Sequence, residues 1–520
     1  MLRPRTRSIG IGLVALFVAW SAGAGAEGWN VTPRASISQT FTDNVNLSPP
    51  GEEEDEAITE VNVGVRADRS AARLDLEAAY NLQSVTYWQD TNDDEIFHQF
   101  LGAGTFVVDP ERFFLDGSAF YGQRFVNPRT AAGDNVIGSD DITDQYRYTI
   151  SPYWVERYGT FARSEVRYLY EKIGYPNGDF SDVGSEANRW NATLQSGPQF
   201  GRVDWTLDYR LDDITYDDDS AVTFESLEAL AGVRITPQFR VFGGVGREEN
   251  DFERDASRAE PDDEFWRVGA DWTPTPRTFI QGFTGERFFG DWYGASITHR
   301  LRRAELAADY TEEATTTQFV EFVPGVFQLV DDFGNPILID DETVFLDFEF
   351  PNLVPDVYIR RSANIRASGG GVRTDWALRG FDERREYQVN PVDERVSGLS
   401  AVLGRRVTSD STANLNLFWE DFTTDDPVDE DQERYGVRGG FTWLVAPRTR
   451  ANVRAGWRRS DFEFDNRSQD LWETGAGLSV TLGRNASASV VYGYQQQDDN
   501  QRPDEDFREN RIVFTLSGTF

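Results

Sequence analysis

Every second residue of this chain is suited to a different solvent. In ARLDLEAAYNLQ, Ala72, Leu74, Leu76, Ala78, Tyr80 and Leu82 fall on one side of an extended chain, and Arg73, Asp75, Glu77, Asn81 and Gln83 on the other. ANVRAGWR sets Ala451, Val453, Ala455 and Trp457 against Asn452, Arg454 and Arg458. WETGAGLSVTL sets Trp472, Ala476, Leu478, Val480 and Leu482 against Glu473, Ser479 and Thr481. A period of two reads as a strand with two differently solvated faces. Register is then fixed: a slip of one residue would carry Arg73, Asp75 and Glu77 into the apolar layer. In a membrane barrel a basic residue at mid-depth costs ~2–4 kcal/mol.

Soluble sandwiches and propellers also alternate, and the connections separate the two classes. One set is short and rich in Pro, Gly and Arg: DRSA from Asp68, DPER from Asp109, TPQFR from Thr236, TPTPR from Thr273, APRTR from Ala446 and LGRNAS from Leu482. The other is longer and acidic: LSPPGEEEDEA from Leu47, DTNDDE from Asp90, RTAAGDNVIGSDD from Arg129, TTDDPVDEDQE from Thr423 and QQDDNQRPDED from Gln496. The two kinds alternate, as in outer-membrane barrels with tight turns at one end and long loops at the other. The expected fold is all-β, a large antiparallel transmembrane β-barrel of about 24 strands with short periplasmic turns and long acidic extracellular loops.

The N-terminus fits that compartment. Arg3, Arg5 and Arg7 precede the apolar run Ile9 to Trp20, and Ala24-Gly25-Ala26 offers a small-residue cleavage site. Residues 1–26 therefore read as a cleaved signal peptide and 27–520 as a single outer-membrane barrel, with no plug or passenger domain expected before the first strand, TPRASISQTF. A net charge of −37 argues against nucleic acid as a partner. The absence of cysteine excludes disulfides, thiolate metal sites and cysteine nucleophiles. The longest connection, at about 315–355, contains VFQLVDDFGNPILIDD, a turn signal between two apolar runs, and reads as a hairpin either outside the membrane or folded into the lumen. The chain closes on RIVFTLSGTF, in which Ile512, Phe514, Leu516 and Phe520 share the apolar side. That strand must close the barrel against the first, and its terminal phenylalanine resembles the signal read by the barrel-assembly machinery.

Three stretches carry a family resemblance: Trp29 to Val65, Gly285 to Thr317 and Val357 to Val389. They resemble the outer-membrane β-barrel proteins associated with the PEP-CTERM/exosortase system. The resemblance implies a place in exopolysaccharide and biofilm-matrix biogenesis, with outer-membrane lipids, lipopolysaccharide and periplasmic export components as partners. It carries no catalytic signature.

The residues point to a pore rather than an enzyme. Arg73, Asp75, Glu77, Arg373, Asp375, Arg379, Arg438, Arg454 and Arg458 all fall on the polar side of their segments and are the candidate lumen-lining set. Rings of such charge set selectivity in pores, and a barrel this wide cannot fill its interior with side chains alone. The bland alternative is a set of structural salt-bridge ladders. Only two histidines exist, His98 and His299, with no visible partner set for catalysis or ligation. The carboxylate runs Gly51–Ala57 and Asp425–Glu433 lack the ligand spacing of a calcium loop, and no cofactor is expected. Tyr80, Tyr435, Trp443, Trp457, Trp472 and Tyr494 fall on the apolar side and would form interfacial girdles. The readings left open are a polymer-conducting pore, a general diffusion porin and a structural or adhesive barrel with a blocked lumen. An outer-membrane hydrolase is disfavoured.

Overall fold

A computed structural model describes residues 28–125, 142–176, 184–316, 356–390, 392–425, 431–463 and 466–520. The proposed leader and nearly all of the 315–355 connection lie outside the described residues. The strands are β1 (Asn30–Thr42), β2 (Glu56–Ala71), β3 (Leu74–Tyr87), β4 (Glu95–Asp109), β5 (Phe113–Phe125), β6 (Ile142–Tyr158), β7 (Ala162–Gly174) and β8 (Ser185–Ser196). They continue as β9 (Val203–Tyr216), β10 (Ala221–Thr236), β11 (Phe239–Asp251), β12 (Asp263–Thr275), β13 (Thr278–Arg287), β14 (Gly290–Arg300), β15 (Ala304–Thr316) and β16 (Val357–Gly370). The last eight are β17 (Thr374–Tyr387), β18 (Asp393–Arg406), β19 (Ser411–Thr424), β20 (Gln432–Ala446), β21 (Thr449–Phe462), β22 (Arg467–Thr481), β23 (Ala486–Asp499) and β24 (Phe507–Thr519).

Each strand pairs antiparallel with its neighbours in sequence, and β1 pairs with β24, so the 24-stranded sheet is closed and leaves no edge. At the closure Ile37 lies opposite Leu516 and Phe41 opposite Ile512, apolar against apolar, while Ser38 and Thr515 face each other on the other side with their hydroxyls 3.1 Å apart. Phe520 donates its backbone N–H to the Pro33 carbonyl at 2.9 Å, which ties the last residue to the first strand. The segments around Tyr358 and Gly398, weak as sequence patterns, are full 14-residue strands, β16 and β18.

The outer face follows from the alternation. Ile37, Ile150, Leu207, Val245, Ile365, Leu399, Leu417 and Phe514 are all exposed and all share the outward side of their strands. Toward the long-loop end this apolar surface ends in aromatic rings whose polar tips bond to outward polar groups. Trp419 donates to Glu433 at 2.7 Å, Trp457 to Asp470 at 3.0 Å, Tyr435 to Asp461 at 3.3 Å, Tyr492 to Asn510 at 2.7 Å and Tyr209 to Glu225 at 3.0 Å. Toward the short turns a second set, Trp154, Trp272 and Trp443, lies on the same face. On β20, Tyr435 to Trp443 covers ~26 Å of strand and, at a tilt of ~40°, ~20 Å of height, close to the apolar band of a membrane barrel. Two aromatic girdles around an exposed apolar belt are what a bilayer requires of a protein surface and what water does not tolerate.

One part of the wall departs from a plain cylinder. β13 and β14 have only 10 and 11 residues. Pairing of β14 with β15 stops at Ala295↔Tyr310, although β14 continues beside β13 to Gly290, whereas β15 continues beside β16 to Thr316↔Val357. The upper edge of β15 is covered by side chains instead: Trp292 donates to the Glu312 carbonyl at 3.1 Å, and the Tyr293 amide donates to the Glu312 carboxylate at 2.8 Å. Above this short hairpin β15 and β16 fold into the barrel. Ile359 and Val357 have the outward parity of exposed Ile365, yet Ile359 is only 2% exposed and packs with Ile214, Tyr216 and Val222 from the inward side of β9 and β10. Phe252 and Phe288 belong to the same buried cluster, their ring centroids 6.4 Å apart. Tyr216 reaches Thr316, Asp255 donates its amide to the Gln388 carbonyl at 2.7 Å, and Arg258 bonds to Asp393 at 2.9 Å. An outer face thus rests on an inner face, and the long-loop mouth is narrowed where they meet.

Candidate functional site

The inward face forms the candidate site, and its character changes along its height. Toward the short turns some inward charges are in open space, although Arg240, held between Asp204 and Asp271 at that end, is only 20% exposed. Arg66 and Glu77 form an ion pair while remaining 58% and 63% exposed, and Arg438, mid-strand in β20 and bonded to Glu473 at 2.8 Å, is 53% exposed. Charged side chains keep that much accessible surface only where water reaches them, so the lumen beside β2, β3 and β20 is hydrated.

Near the long loops the same inward parity is buried. Glu171 accepts from Arg147 at 2.7 Å and from Arg189 at 2.9 Å. Glu248 is held by Arg287, and Arg467 bonds to Glu505 at 3.0 Å. Glu383 accepts from Arg360 and from Arg385, each at 2.7 Å, and Arg385, 1% exposed, also reaches Glu394 at 3.3 Å. Charges removed from water persist only when paired and bonded in this way. The mouth is therefore packed with neutralised ion clusters, whereas hydrated charge is found lower in the lumen, at Arg66, Glu77 and Arg438.

The sequence-predicted lumen residues divide accordingly. Asp75, Glu77, Asp375, Arg379, Arg438, Arg454 and Arg458 take inward positions in β3, β17, β20 and β21. Arg73 and Arg373 instead occupy the short turns before β3 and β17, exposed at the rim rather than on a strand face. Arg379 stacks over Phe381, its guanidinium carbon 5.9 Å from the ring centroid. Ile512, Phe514 and Leu516 lie on the outward face of β24, with Phe520 exposed beyond it.

Sequence reading missed Arg66, Glu171, Glu383, Arg385 and Glu394, because each gains meaning from a partner on another strand. It also missed a concentration of inward aromatics and arginines on β11 to β14: Phe242, Phe265, Arg267, Phe279, Phe283, Arg287 and Trp292. Pairing of Arg267 with Glu228, at 2.6 and 2.7 Å, fixes one rung of this set. The alternation could have flagged the rings as apolar residues on a polar face.

The two histidines are on the outer surface, at opposite ends. His98 lies near the long-loop end of β4 and meets the Tyr80 hydroxyl at 2.8 Å, and His299 lies near the short-turn end of β14 and meets Thr278 at 2.9 Å. They cannot share a ligand. Among the described residues no group of three His, Cys, Asp or Glu side chains is placed to hold a metal ion. In the first acidic run Glu56 is turned inward as a clamp, accepting from the Ala57 amide at 2.8 Å, the Gln89 amide at 2.9 Å and the Thr91 hydroxyl at 2.5 Å. Residues 426–430 of the second run lie outside the described residues.

No family model matches this sequence, and no curated protein matches it. Solved structures of similar form include the siderophore receptor PirA from Pseudomonas aeruginosa, with 10% identity over 94% of this chain and 80% of that one and a TM-score of 0.42. A mutant of the ferric enterobactin receptor from Pseudomonas aeruginosa, in complex with enterobactin, gives 10% identity, 94% and 81% coverage and a TM-score of 0.48. The siderophore receptor PiuA from Acinetobacter baumannii gives 10% identity, 94% and 82% coverage and a TM-score of 0.45. These likenesses assign no ligand to this chain, which stands on its own geometry as a closed 24-stranded barrel with an apolar belt and a charged lumen.

Proposed function

We propose that this chain is an outer-membrane pore that passes a hydrophilic polymer of the exopolysaccharide class, with its outer mouth narrowed by the folded-in wall of β15 and β16. The observation that carries the pore is the hydrated inward charge at the short-turn end, typified by the exposed Arg66–Glu77 pair. A barrel of 24 strands is too wide to be filled by side chains, and fixed charge in an aqueous lumen favours polar cargo. The polymer class comes from the resemblance of Trp29–Val65, Gly285–Thr317 and Val357–Val389 to barrels of exopolysaccharide loci. In this reading the leader delivers the chain to the periplasm, the assembly machinery reads the β24 terminus, and the short turns face the periplasm. The acidic loops then stand among lipopolysaccharide headgroups. Movement would be passive or driven by periplasmic partners.

Conductance of the purified protein in planar bilayers tests this reading. Ion-conducting channels, together with loss of extracellular polysaccharide and normal small-solute uptake in a deletion strain, are the expected results. Channels with normal polysaccharide in the deletion strain would leave a general diffusion porin. The narrowed mouth favours one further reading, a structural barrel with a closed lumen. Electrical silence that persists after the Phe288 contact is removed would select it.

A further inference from the structure

The inner face of β11 to β14 carries a dense set of inward aromatic rings beside fixed polar groups, and the rings run in order down the lumen. Nearest the mouth, Phe265 and Trp292 meet edge to face with centroids 6.1 Å apart. Trp292 then meets Phe283 at 4.7 Å. Lower on β13, Phe279 projects inward opposite Thr298 and is 39% exposed, although apolar surface on the wet side of a barrel gains nothing from water. Polar rungs lie between the rings. Arg240 bonds to Asp204 at 3.0 Å and to Asp271 at 2.7 Å, and Gln281 bonds to Asp271 at 2.8 Å. Arg267 is bidentate to Glu228, and its guanidinium carbon is 5.4 Å from the Phe283 centroid and 5.3 Å from that of Trp292.

The backbone is cut away beneath the rings. A Cβ on Gly294 would lie 2.0 Å from Phe283, and one on Gly246 would lie 2.2 Å from Phe265. Glycine at these positions lets each ring lie down on the sheet, with one face against backbone. Phe283 and Trp292 stay partly exposed on this inward side, whereas Phe265 is only 7% exposed.

We propose that this wall is a binding track for a neutral pyranose polymer. A pyranose ring has an apolar face of C–H groups and an equatorial rim of hydroxyls. Phe279, Phe283 and Trp292 would take the C–H faces. The Arg–carboxylate and Gln–carboxylate rungs would donate to and accept from the rim hydroxyls at fixed spacing. Three staggered rings along one strand pair suit a chain of linked sugars moving from ring to ring, each contact weak enough to release. The proposal rests on the lumen being the path of a polymer and adds the wall along which it travels.

Calorimetric titration of the folded full-length protein in detergent with maltohexaose and with cellohexaose tests the track independently of conduction. Binding of at least one oligosaccharide is expected, weakened about fivefold by each of Phe279→Ala, Phe283→Leu and Trp292→Leu. Phe418→Leu, which alters an inward ring on β19, should leave it unchanged. Phe279 is solvated and can be removed without opening a core, so Phe279→Ala alone decides the matter if the other variants fail to give a heat-modifiable folded band. Absence of binding by the natural protein, or equal weakening by Phe418→Leu, overturns the track. Oligosaccharide binding without any bilayer conductance would defeat the pore and keep the track, and conductance without binding would do the reverse.

Discussion

Arg385 and Arg438 have the same inward parity and each pairs with glutamate, yet they live in different solvents. Arg385, at the long-loop end, is wedged between Glu383 and Glu394 with almost no accessible surface. Arg438, mid-strand in β20, keeps more than half of its surface while bonded to Glu473. One is a structural ion cluster whose members depend on one another. The other is lumen charge that water already satisfies. The same residue type on the same face is therefore solvated at one height and part of a packed, narrowed mouth at another.

The largest expected effect breaks the buried member. Arg385→Ala leaves Glu383 and Glu394 without their shared partner and should cost ~3–5 kcal/mol. Denaturant unfolding followed by loss of the heat-modifiable band measures it. A cost under ~1 kcal/mol, the range of a solvated pair, would mean that water enters the mouth and that the two ends do not differ.

Next is the contact that narrows the mouth. Phe288→Ala removes a ring from the buried cluster that holds Ile359 and Ile214 and should cost ~3 kcal/mol of local stability. It should also raise single-channel conductance, because the β15–β16 wall loses its seat. Unchanged conductance would place the limiting constriction elsewhere.

A gentler probe is pH. Asp356, just ahead of β16, is buried, and burial pushes its carboxyl above the ordinary aspartate value although the Val389 and Asn390 amides bond to it at 3.1 and 3.3 Å. A raised value means that the folded-in wall holds the proton more tightly than a solvated aspartate does. The closed mouth is then favoured at low pH and loses that contribution as pH rises through the raised value. Conductance should fall on acidification across the window just above the ordinary aspartate range, and Asp356→Asn should flatten the response. A response that survives this substitution would assign the titration to another group.

The smallest effect belongs to the open end. Arg66→Ala or Glu77→Gln should change stability by no more than ~0.5 kcal/mol, since both members of this pair are exposed and such a pair contributes little. Each should still alter ion selectivity, read from the reversal potential in a salt gradient. A stability loss comparable with that of Arg385→Ala would erase the distinction.

Much of the fold was legible in the chain. The alternation in Ala72–Gln83, with short and long connections in turn, called for a barrel of about 24 strands, and the described residues form 24. The same alternation placed Tyr435, Trp457 and Trp472 on the outside, where they now form part of a girdle with rings in contact. Arg73 and Arg373 were less legible, because alternation assigns a side but does not say where a strand begins, and both fall in turns. The aromatic wall of β11 to β14 stayed hidden because Phe283 and Trp292 meet only once the register of β13 against β14 is set.

The sequence by itself determined which side of each strand meets lipid, because a period of two is local and the cost of burying charge in a bilayer admits no other register. Only the tertiary structure decided the depth at which a lumen charge becomes a buried one. That outcome depends on the short β13–β14 hairpin letting β15 and β16 fold inward, which brings Ile359 against Ile214 from a distant part of the chain, a contact that no local pattern encodes.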